Sequence, residues 1–243
     1  MPPSFVRGDS AMLGFHATPR ERSEMARFGV LGTGSVGRTL ASKLVSLGHD
    51  VMMGSRQAGN EQAVGWAEAA GQLASEGTFA DAAAFGETVV NATAGGASLD
   101  ALAAAGVENL AGKVLIDISN PLDFSRGMPP SLVVCNTDSL GEQIQRAFPE
   151  TSVVKALNTV NADIMVDPSI VPGSHTIFLC GDDAGAKAMV AGLLQSFGWP
   201  ADDVMDLGEL AAARGMEMYL PLWLRLYGAV GTARLNVKVV VGG

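Results

Sequence analysis

A glycine-rich turn, set between an apolar run and a helical pattern, is the feature of this sequence that most clearly indicates chemistry. The glycines stand at the G-x-G-x-x-G spacing directly after the apolar residues 28–31. The pyrophosphate of a dinucleotide approaches bare backbone amides at a helix N-terminus, where a Cβ would collide with it. A tight turn without a ligand is the alternative. The strand and helix context favours a dinucleotide site made by Gly32, Thr33, Gly34, Ser35, Val36 and Gly37.

The residues after the second predicted strand indicate which dinucleotide binds. NAD-specific domains place an Asp or Glu about 20 residues beyond the glycines, where it bonds the ribose 2′-hydroxyl. This chain has Ser55 and Arg56 there. An arginine forms charge-assisted hydrogen bonds with a 2′-phosphate, which a carboxylate would repel. The pair predicts NADP(H) rather than NAD(H), and a solvated surface charge is the alternative for Arg56.

Asparagines follow two of the later predicted strands. Asn120 and Pro121 come after strand 113–118, and Asn158 comes after strand 152–157. Ligands of open α/β sheets bind outside the carboxyl ends of strands, so these amides are candidates to bond a nicotinamide carboxamide or an acceptor ring. Capping of their own loops is the alternative, since asparagine is a common turn residue.

The sequence contains no recognisable catalytic triad or metal motif. Hydride transfer between two bound rings needs none, because the reactive centres belong to the cofactors. His49 and His175 lack a neighbouring serine or carboxylate motif and are expected to be structural. Cys135 and Cys180 have no second cysteine nearby, so we predict no metal site and expect reduced thiols in a cytoplasmic protein.

Strand and helix patterns alternate from residue 27 onward and predict the fold that positions these residues. The strand patterns cover residues 28–31, 50–53, 88–92, 113–118, 152–157, 175–180 and 204–206. The helical patterns cover residues 36–47, 61–73, 80–85, 98–105, 139–148, 184–197 and 209–226. Pro221 is expected to kink or divide the last helix. The alternation implies an α/β Rossmann fold, with a doubly wound, mainly parallel sheet and a smaller C-terminal helical lobe.

Length and charge limit the organisation and the partners. We expect a disordered leader over residues 1–24, an NADP-binding domain over 25–150, and a part over 151–243 that completes the sheet and an acceptor cleft. The net charge of −9 and the scattered basic residues argue against nucleic acid. The apolar stretches are too short or too interrupted for a membrane span or a secretory signal. Large apolar residues crowd residues 219–227 and predict a homodimer through this helix.

Several segments taken together resemble a known family. They are residues 30–37, 54–56, 117–122, 154–160 and 180–183, spread over about residues 27 to 227. The set resembles the NADP oxidoreductases that depend on coenzyme F420, a deazaflavin, and the related cytosolic domain of six-transmembrane metalloreductases. Residues 207–214 look like a late segment of that second group.

The resemblance implies hydride exchange between NADP(H) and a small-molecule acceptor, either F420 or a flavin. It places residues 33–36 around the pyrophosphate and the acceptor ring in a cleft bordered by Pro121 and Asn158. The remaining cofactor contacts that it implies are Ser55 and Arg56 at the 2′-phosphate, and Thr93, Ala94 and Asn120 along the nicotinamide half.

Two other functions are compatible with the residues. A reductase of imines or carbonyls, of the pyrroline carboxylate reductase type, needs a proton donor near the cleft. The sequence offers no convincing Tyr or Lys donor, since Tyr219 and Tyr227 lie in the late apolar helix. The third possibility is a redox sensor that binds NADP without turnover, because a fold does not fix a function.

Overall fold

Ten strands appear in the computed structural model, which describes residues 25–242. They are β1 (Arg27–Leu31), β2 (Asp50–Ser55), β3 (Ala74–Thr78), β4 (Thr88–Asn91), β5 (Val114–Asp117), β6 (Leu122–Asp123), β7 (Ser131–Leu132), β8 (Ser152–Ala156), β9 (Ile177–Gly181) and β10 (Val204–Asp206). Eight of them form one sheet in the order β10-β9-β8-β5-β4-β1-β2-β3, and β6 and β7 form a separate hairpin.

The main sheet is parallel except where β9 pairs with β8 in antiparallel fashion. The order runs outward in both directions from β1 and β4, so the carboxyl ends of these two strands open a crevice between them. This arrangement confirms the predicted Rossmann fold. Strands β8 to β10 complete the same sheet, while the division at residue 150 stays a prediction and the expected leader lies outside the described residues.

Helices cover both faces of the sheet. They are α1 (Ser35–Ser46), α2 (Glu61–Ala70), α3 (Phe79–Phe85), α4 (Ser98–Ala105), α5 (Val107–Leu110), α6 (Leu140–Ala147), α7 (Ala162–Val166), α8 (Ala184–Ser196) and α9 (Ala213–Val230). One core cluster joins the sheet to α1, α2, α7 and α8, and a second joins its other face to the remaining helices. Between residues 25 and 242, no helix is long and apolar enough to cross a membrane.

Two predicted helices differ from those observed. The second helix ends at Ala70, and Ala74–Thr78 forms an edge strand that the prediction omitted. Its sequence, ASEGT, contains no Val, Ile or aromatic residue that would indicate a strand. Such a composition suits an edge strand that pairs on one side and leaves most of its side chains partly exposed. The last helix runs through Pro221 to Val230 and is not divided there. Pro221 removes one backbone donor, and side-chain packing along the preceding turns maintains the helix.

A buried row of polar and charged side chains crosses the sheet at the carboxyl ends of three strands. The register places Asn91 beside Asp117 and Asp117 beside Lys155, and all three side chains are fully buried. The Lys155 ammonium donates to Asp117 Oδ2 at 2.8 Å and to Ser119 O at 2.6 Å, and lies 2.8 Å from Glu217 Oε1 on α9. These three acceptors use all three of its protons.

Glu217 connects this row to two helices. Its carboxylate accepts the backbone N–H groups of Leu140 at 2.9 Å and Gly141 at 3.1 Å, at the start of α6. Free amides at a helix N-terminus favour negative charge, so α6 helps to balance the second carboxylate of the cluster. Burial lowers the pKa of Lys155, but the charges of Asp117 and Glu217 outweigh that effect and raise it. The neighbouring carboxylates therefore favour the ammonium form of Lys155 inside the protein.

We expect Lys155→Met to lower the free energy of unfolding by about 3 to 5 kcal/mol, because two buried carboxylates lose their counter-charge. Urea unfolding at neutral pH measures the loss. Lys187→Met is the matched control, since Lys187 pairs with the half-exposed Asp206 and such a pair contributes about 1 kcal/mol or less. Equal losses in the two variants would contradict the role assigned to the buried row.

Candidate active site

A cleft of about 830 Å³ opens at the carboxyl ends of β1, β2 and β4. Its lining includes these residues predicted from the sequence: Gly32, Thr33, Gly34, Ser55, Arg56, Thr93 and Ala94. The prediction did not include its other lining residues, Gln57, Ala58, Gly59, Asn60, Phe79, Ala92, Ala97, Asp100, Ala101 and Ala104. Small side chains on α4 form one wall, and a run of alanines is too common in helices to indicate a site.

The three glycines of the loop have different roles. Gly32 has φ +119°, and an added Cβ would lie 2.6 Å from Ala92 O. A Cβ at Gly37 would lie 2.2 Å from Gly32 O, so this glycine lets α1 pack against the turn. At Gly34 an added Cβ would meet no atom within 4 Å, although Gly34 lines the cleft. Gly34 therefore keeps open a space that the protein itself does not fill.

The amino end of α1 faces this open space. Among the described residues, no side chain caps the helix at Gly34, so the first-turn amides of Ser35, Val36 and Gly37 have no partner within the helix. Such amides bind anions. The Arg38 guanidinium donates to Thr33 O at 2.5 Å and to Gln62 Oε1 at 2.9 Å, which fixes the loop against α2.

The loop after β2 presents Arg56 at the other end of the cleft. Arg56 is exposed, and it forms no ion pair with any residue between 25 and 242. Ser55 is buried, and its hydroxyl donates to Gln57 O at 2.5 Å, so it shapes the loop. Asn60 accepts from Gln62 N and caps α2.

The loop after β4 forms the wall at the opposite end. Thr93 Oγ1 donates to Asn91 Oδ1 at 2.6 Å, and the chain then turns through Ala94. A Cβ at Gly95 would lie 2.0 Å from Asn120 O, so this loop packs directly on the backbone of Asn120. The contact joins the cleft to the region after β5.

Asn120, Pro121 and Asn158 lie beyond this wall and do not line the cleft itself. Asn120 Nδ2 donates to Asn158 O at 3.0 Å, and Asn158 Nδ2 donates to Asn120 Oδ1 at 3.0 Å. Both side-chain amides therefore donate to the other asparagine of the pair. Asn158 Oδ1 and the neighbouring Thr159 Oγ1 are buried, with no hydrogen-bond partner among the described residues. Leu157 before them has φ +64°, a strained value for a branched side chain, and strain of this kind clusters at functional sites.

The β6–β7 hairpin stands beside the same region, and the sequence prediction did not include it. Val133 N donates to Pro121 O at 2.8 Å, which ties the hairpin to the end of β5. Phe124, Met128 and Val133 are large apolar side chains that it leaves exposed. A short hairpin rich in glycine and proline has no clear alternating pattern, which explains the omission.

The two histidines near the strands lie outside the site. His49 accepts from Ala26 N at 3.3 Å and packs edge-on against Phe28, and burial lowers its pKa. His175 lies 3.0 Å from Pro168 O and 2.9 Å from Asn236 Nδ2. Both rings are engaged in local structure.

Comparison with known proteins places the chain in a family. Residues 27–121 match the family model described as NADP oxidoreductase, coenzyme F420-dependent. A crystal structure of a candidate F420-dependent NADP reductase from Arthrobacter sp. FB24 shares 54% identity at a TM-score of 0.84, covering 89% of this chain and 100% of that one.

More distant relatives share part of the sequence or the fold alone. Metalloreductase STEAP3 of Rattus norvegicus is 30% identical over 205 residues, which are 82% of this chain and 38% of that protein. Metalloreductase STEAP2 of Homo sapiens is 29% identical over 116 residues, 47% of this chain and 21% of that protein. The chain thus spans less than two fifths of the length of these curated relatives. A reductive aminase from Aspergillus terreus, 19% identical over 85% of this chain and 62% of that one, shares the fold at a TM-score of 0.59.

The Arthrobacter structure decides the family, because more than half of its residues are identical and the match covers its whole length. Segments 30–37 and 54–56 of the resemblance fall within the matched family model, as does segment 117–122 except for Leu122, together with the uncapped end of α1. The chain belongs to the family of coenzyme F420-dependent NADP oxidoreductases.

Proposed function

We propose that this protein transfers a hydride between NADP(H) and a deazaflavin (F420) or flavin acceptor held next to the nicotinamide. The observation that carries the proposal is the cleft at the carboxyl ends of β1 and β4, where an uncapped helix end faces the space kept open by Gly34. Backbone amides and a bare glycine fit a pyrophosphate.

The residues along the cleft suit NADP(H). The amides of residues 35–37 would hold the pyrophosphate, and Arg56, which has no ion-pair partner among the described residues, would hold the 2′-phosphate. Thr93 and Ala94 would hold the nicotinamide half, toward Asn120. When bound, the cofactor supplies the hydride, and the residues of the chain hold and orient it. Ser55 contributes indirectly, by fixing the loop that carries Arg56.

The acceptor site follows from the position of the nicotinamide end. Pro121 and Asn158 border it, and the exposed apolar side chains of the β6–β7 hairpin stand beside it. A flat ring with polar edges suits apolar contacts on one side and, on the other, the buried amide oxygen Asn158 Oδ1, which has no hydrogen-bond partner among the described residues. The Arthrobacter relative, named as a candidate F420-dependent reductase, supports a deazaflavin.

Among the described residues, neither a lysine nor a tyrosine lines the cleft to donate a proton to an imine or carbonyl. Lys155 has its three protons on internal acceptors, and burial raises the pKa of Tyr219, whose hydroxyl is buried on α9. Imine reductases and aminases among the structural neighbours share the fold at under 20% identity, which leaves the reaction open. A sensor that binds NADP without turnover is separated from an enzyme by the assay of acceptors below.

The C-terminal half of α9 fits a contact with a second copy of this chain. One face of the helix is buried as far as Leu220, whereas Leu222, Tyr227 and Val230 beyond it are exposed apolar side chains. Tyr219 Oη and Trp223 Nε1 are buried, and the described residues offer them no hydrogen-bond partner. We propose a homodimer through this segment, in a protein of the cytoplasm.

Arg56→Ala tests the cofactor. NADPH binding should weaken by about 1.5 to 3 kcal/mol, the contribution of a hydrogen bond between charged groups, and NADH binding should hardly change. Calorimetric titration of both cofactors measures this difference. Arg27→Ala is the control, because Arg27 is paired with Glu87 at the amino end of β1. Equal losses for both cofactors, or none, would remove Arg56 from the site.

An acceptor screen tests the reaction. With NADPH in excess, reduced F420 or reduced flavin should form rapidly, while a pyrroline imine should leave NADPH unconsumed. Absorbance of NADPH at its near-ultraviolet band follows each reaction. Turnover with the imine and none with either flavin type would reverse the assignment. Tight NADPH binding without turnover on any acceptor would indicate the sensor.

Leu222→Glu tests the proposed dimer. A carboxylate in an apolar interface should convert the wild-type dimer to a monomer at tens of micromolar, as measured by light scattering. Val107→Glu is the matched control: Val107 is 53% exposed on α5 and Leu222 is 55% exposed on α9. A wild-type protein that is already monomeric at that concentration would refute the interface.

A further inference from the structure

Thr93 stands at the end of a chain of hydrogen bonds that begins at Lys155. Lys155 donates to Asp117 Oδ2, and Asp117 Oδ1 in turn accepts from Asn91 Nδ2 at 2.9 Å. Asp117 Oδ1 also accepts from Ser119 N at 3.2 Å and Ser119 Oγ at 2.6 Å. The Asp117 carboxylate is thus the acceptor in all of these hydrogen bonds.

This carboxylate fixes the orientation of the Asn91 amide. The reverse orientation would place Asn91 Oδ1 against Asp117 Oδ1, and two acceptors repel each other. In the observed orientation Nδ2 faces Asp117 and Ser98, and Oδ1 faces Thr93. Asn91 and Asp117 are fully buried, so water does not substitute for either partner.

The proton of Thr93 then has one position. Asn91 Oδ1 can only accept, so the Thr93 hydroxyl must donate to it across 2.6 Å. Ser98 Oγ, which accepts from Asn91 Nδ2 at 3.1 Å, lies 2.9 Å from Thr93 Oγ1 and 3.4 Å from Ala94 O, so its own proton goes to one of these two oxygens. With either acceptor for the Ser98 proton, Thr93 Oγ1 keeps at least one lone pair without a partner among the described residues, and Thr93 lines the cleft.

We propose that Asn91, held by Asp117 and Lys155, makes Thr93 an obligatory acceptor that selects the carboxamide of the nicotinamide over a carboxylate. The inference rests on the proposed cofactor site, and it adds a specificity that the site alone does not imply. A carboxamide N–H can donate to this lone pair. The carboxylate of a nicotinate dinucleotide has no proton to donate and meets a lone pair instead.

Titration of NADP+ and its deamidated analogue, nicotinate adenine dinucleotide phosphate, tests the inference by binding alone. Wild type should bind NADP+ at least about tenfold more tightly than the analogue. This is the scale of one hydrogen bond that the carboxamide makes and that the carboxylate leaves unmade. Thr93→Val should bring the two affinities to within about threefold, and Thr93→Ser should restore the wild-type ratio because it keeps the hydroxyl.

Asn91→Ala separates positioning from direct contact. This variant keeps the Thr93 hydroxyl but frees its proton to face the ligand, so the analogue should bind more tightly than it does to wild type. If Asn91→Ala does not fold, Thr93→Val and Thr93→Ser decide the question, since Thr93 lies at the cleft wall.

Arg56→Ala, measured beside these variants, separates a failure of the role of Thr93 from a failure of the cofactor site. Equal wild-type affinity for NADP+ and the analogue, with both weakened by Arg56→Ala, would overturn the role of Thr93 and leave the cofactor site intact. Discrimination that persists in Thr93→Val would overturn it as well. Absence of NADP+ binding to wild type would overturn the cofactor site itself.

Discussion

The buried ammonium of Lys155 holds together the edge of the sheet on which the site is built. It joins β8 to Asp117 at the end of β5, to the carbonyl of Ser119 just beyond, and to Glu217 on α9. A buried charge is tolerated only when its partners are in place, so these elements must adopt their positions together. Since the loops after β4 and β5 begin at this row, the geometry of this end of the cleft depends on it.

The same interaction anchors the first part of α9. Glu217 is buried against Lys155 of β8 and the start of α6, while the last three turns of the helix carry exposed apolar residues. A helix anchored by an ion pair at one end and unpacked at the other can present a surface to a partner without loosening the core. The C-terminal part of the chain, which completes the sheet, would then also carry the proposed dimer contact.

Much of this arrangement could be predicted from the sequence because its signals are local. The glycine spacing, the apolar strand before it and the helical period after it lie within about 20 residues, and Arg56 follows the next strand. The buried row could not be predicted in this way, because its members are far apart in the sequence. Only the register of β5 and β8 places Asp117 beside Lys155, and Glu217 bonds Leu140 from 77 residues away. Asn120 and Asn158 were correctly placed at strand ends, but local patterns do not show that they bond each other.

We propose that a dinucleotide lies across the carboxyl ends of β1 and β4, with its pyrophosphate at the glycine loop and its 2′-phosphate at Arg56. A crystal structure of the protein with NADPH tests this most directly. We predict pyrophosphate oxygens within hydrogen-bond distance of the amides of residues 35–37 and the 2′-phosphate beside the Arg56 guanidinium. A nucleotide bound elsewhere, or a 2′-phosphate directed away from Arg56, would refute this binding mode.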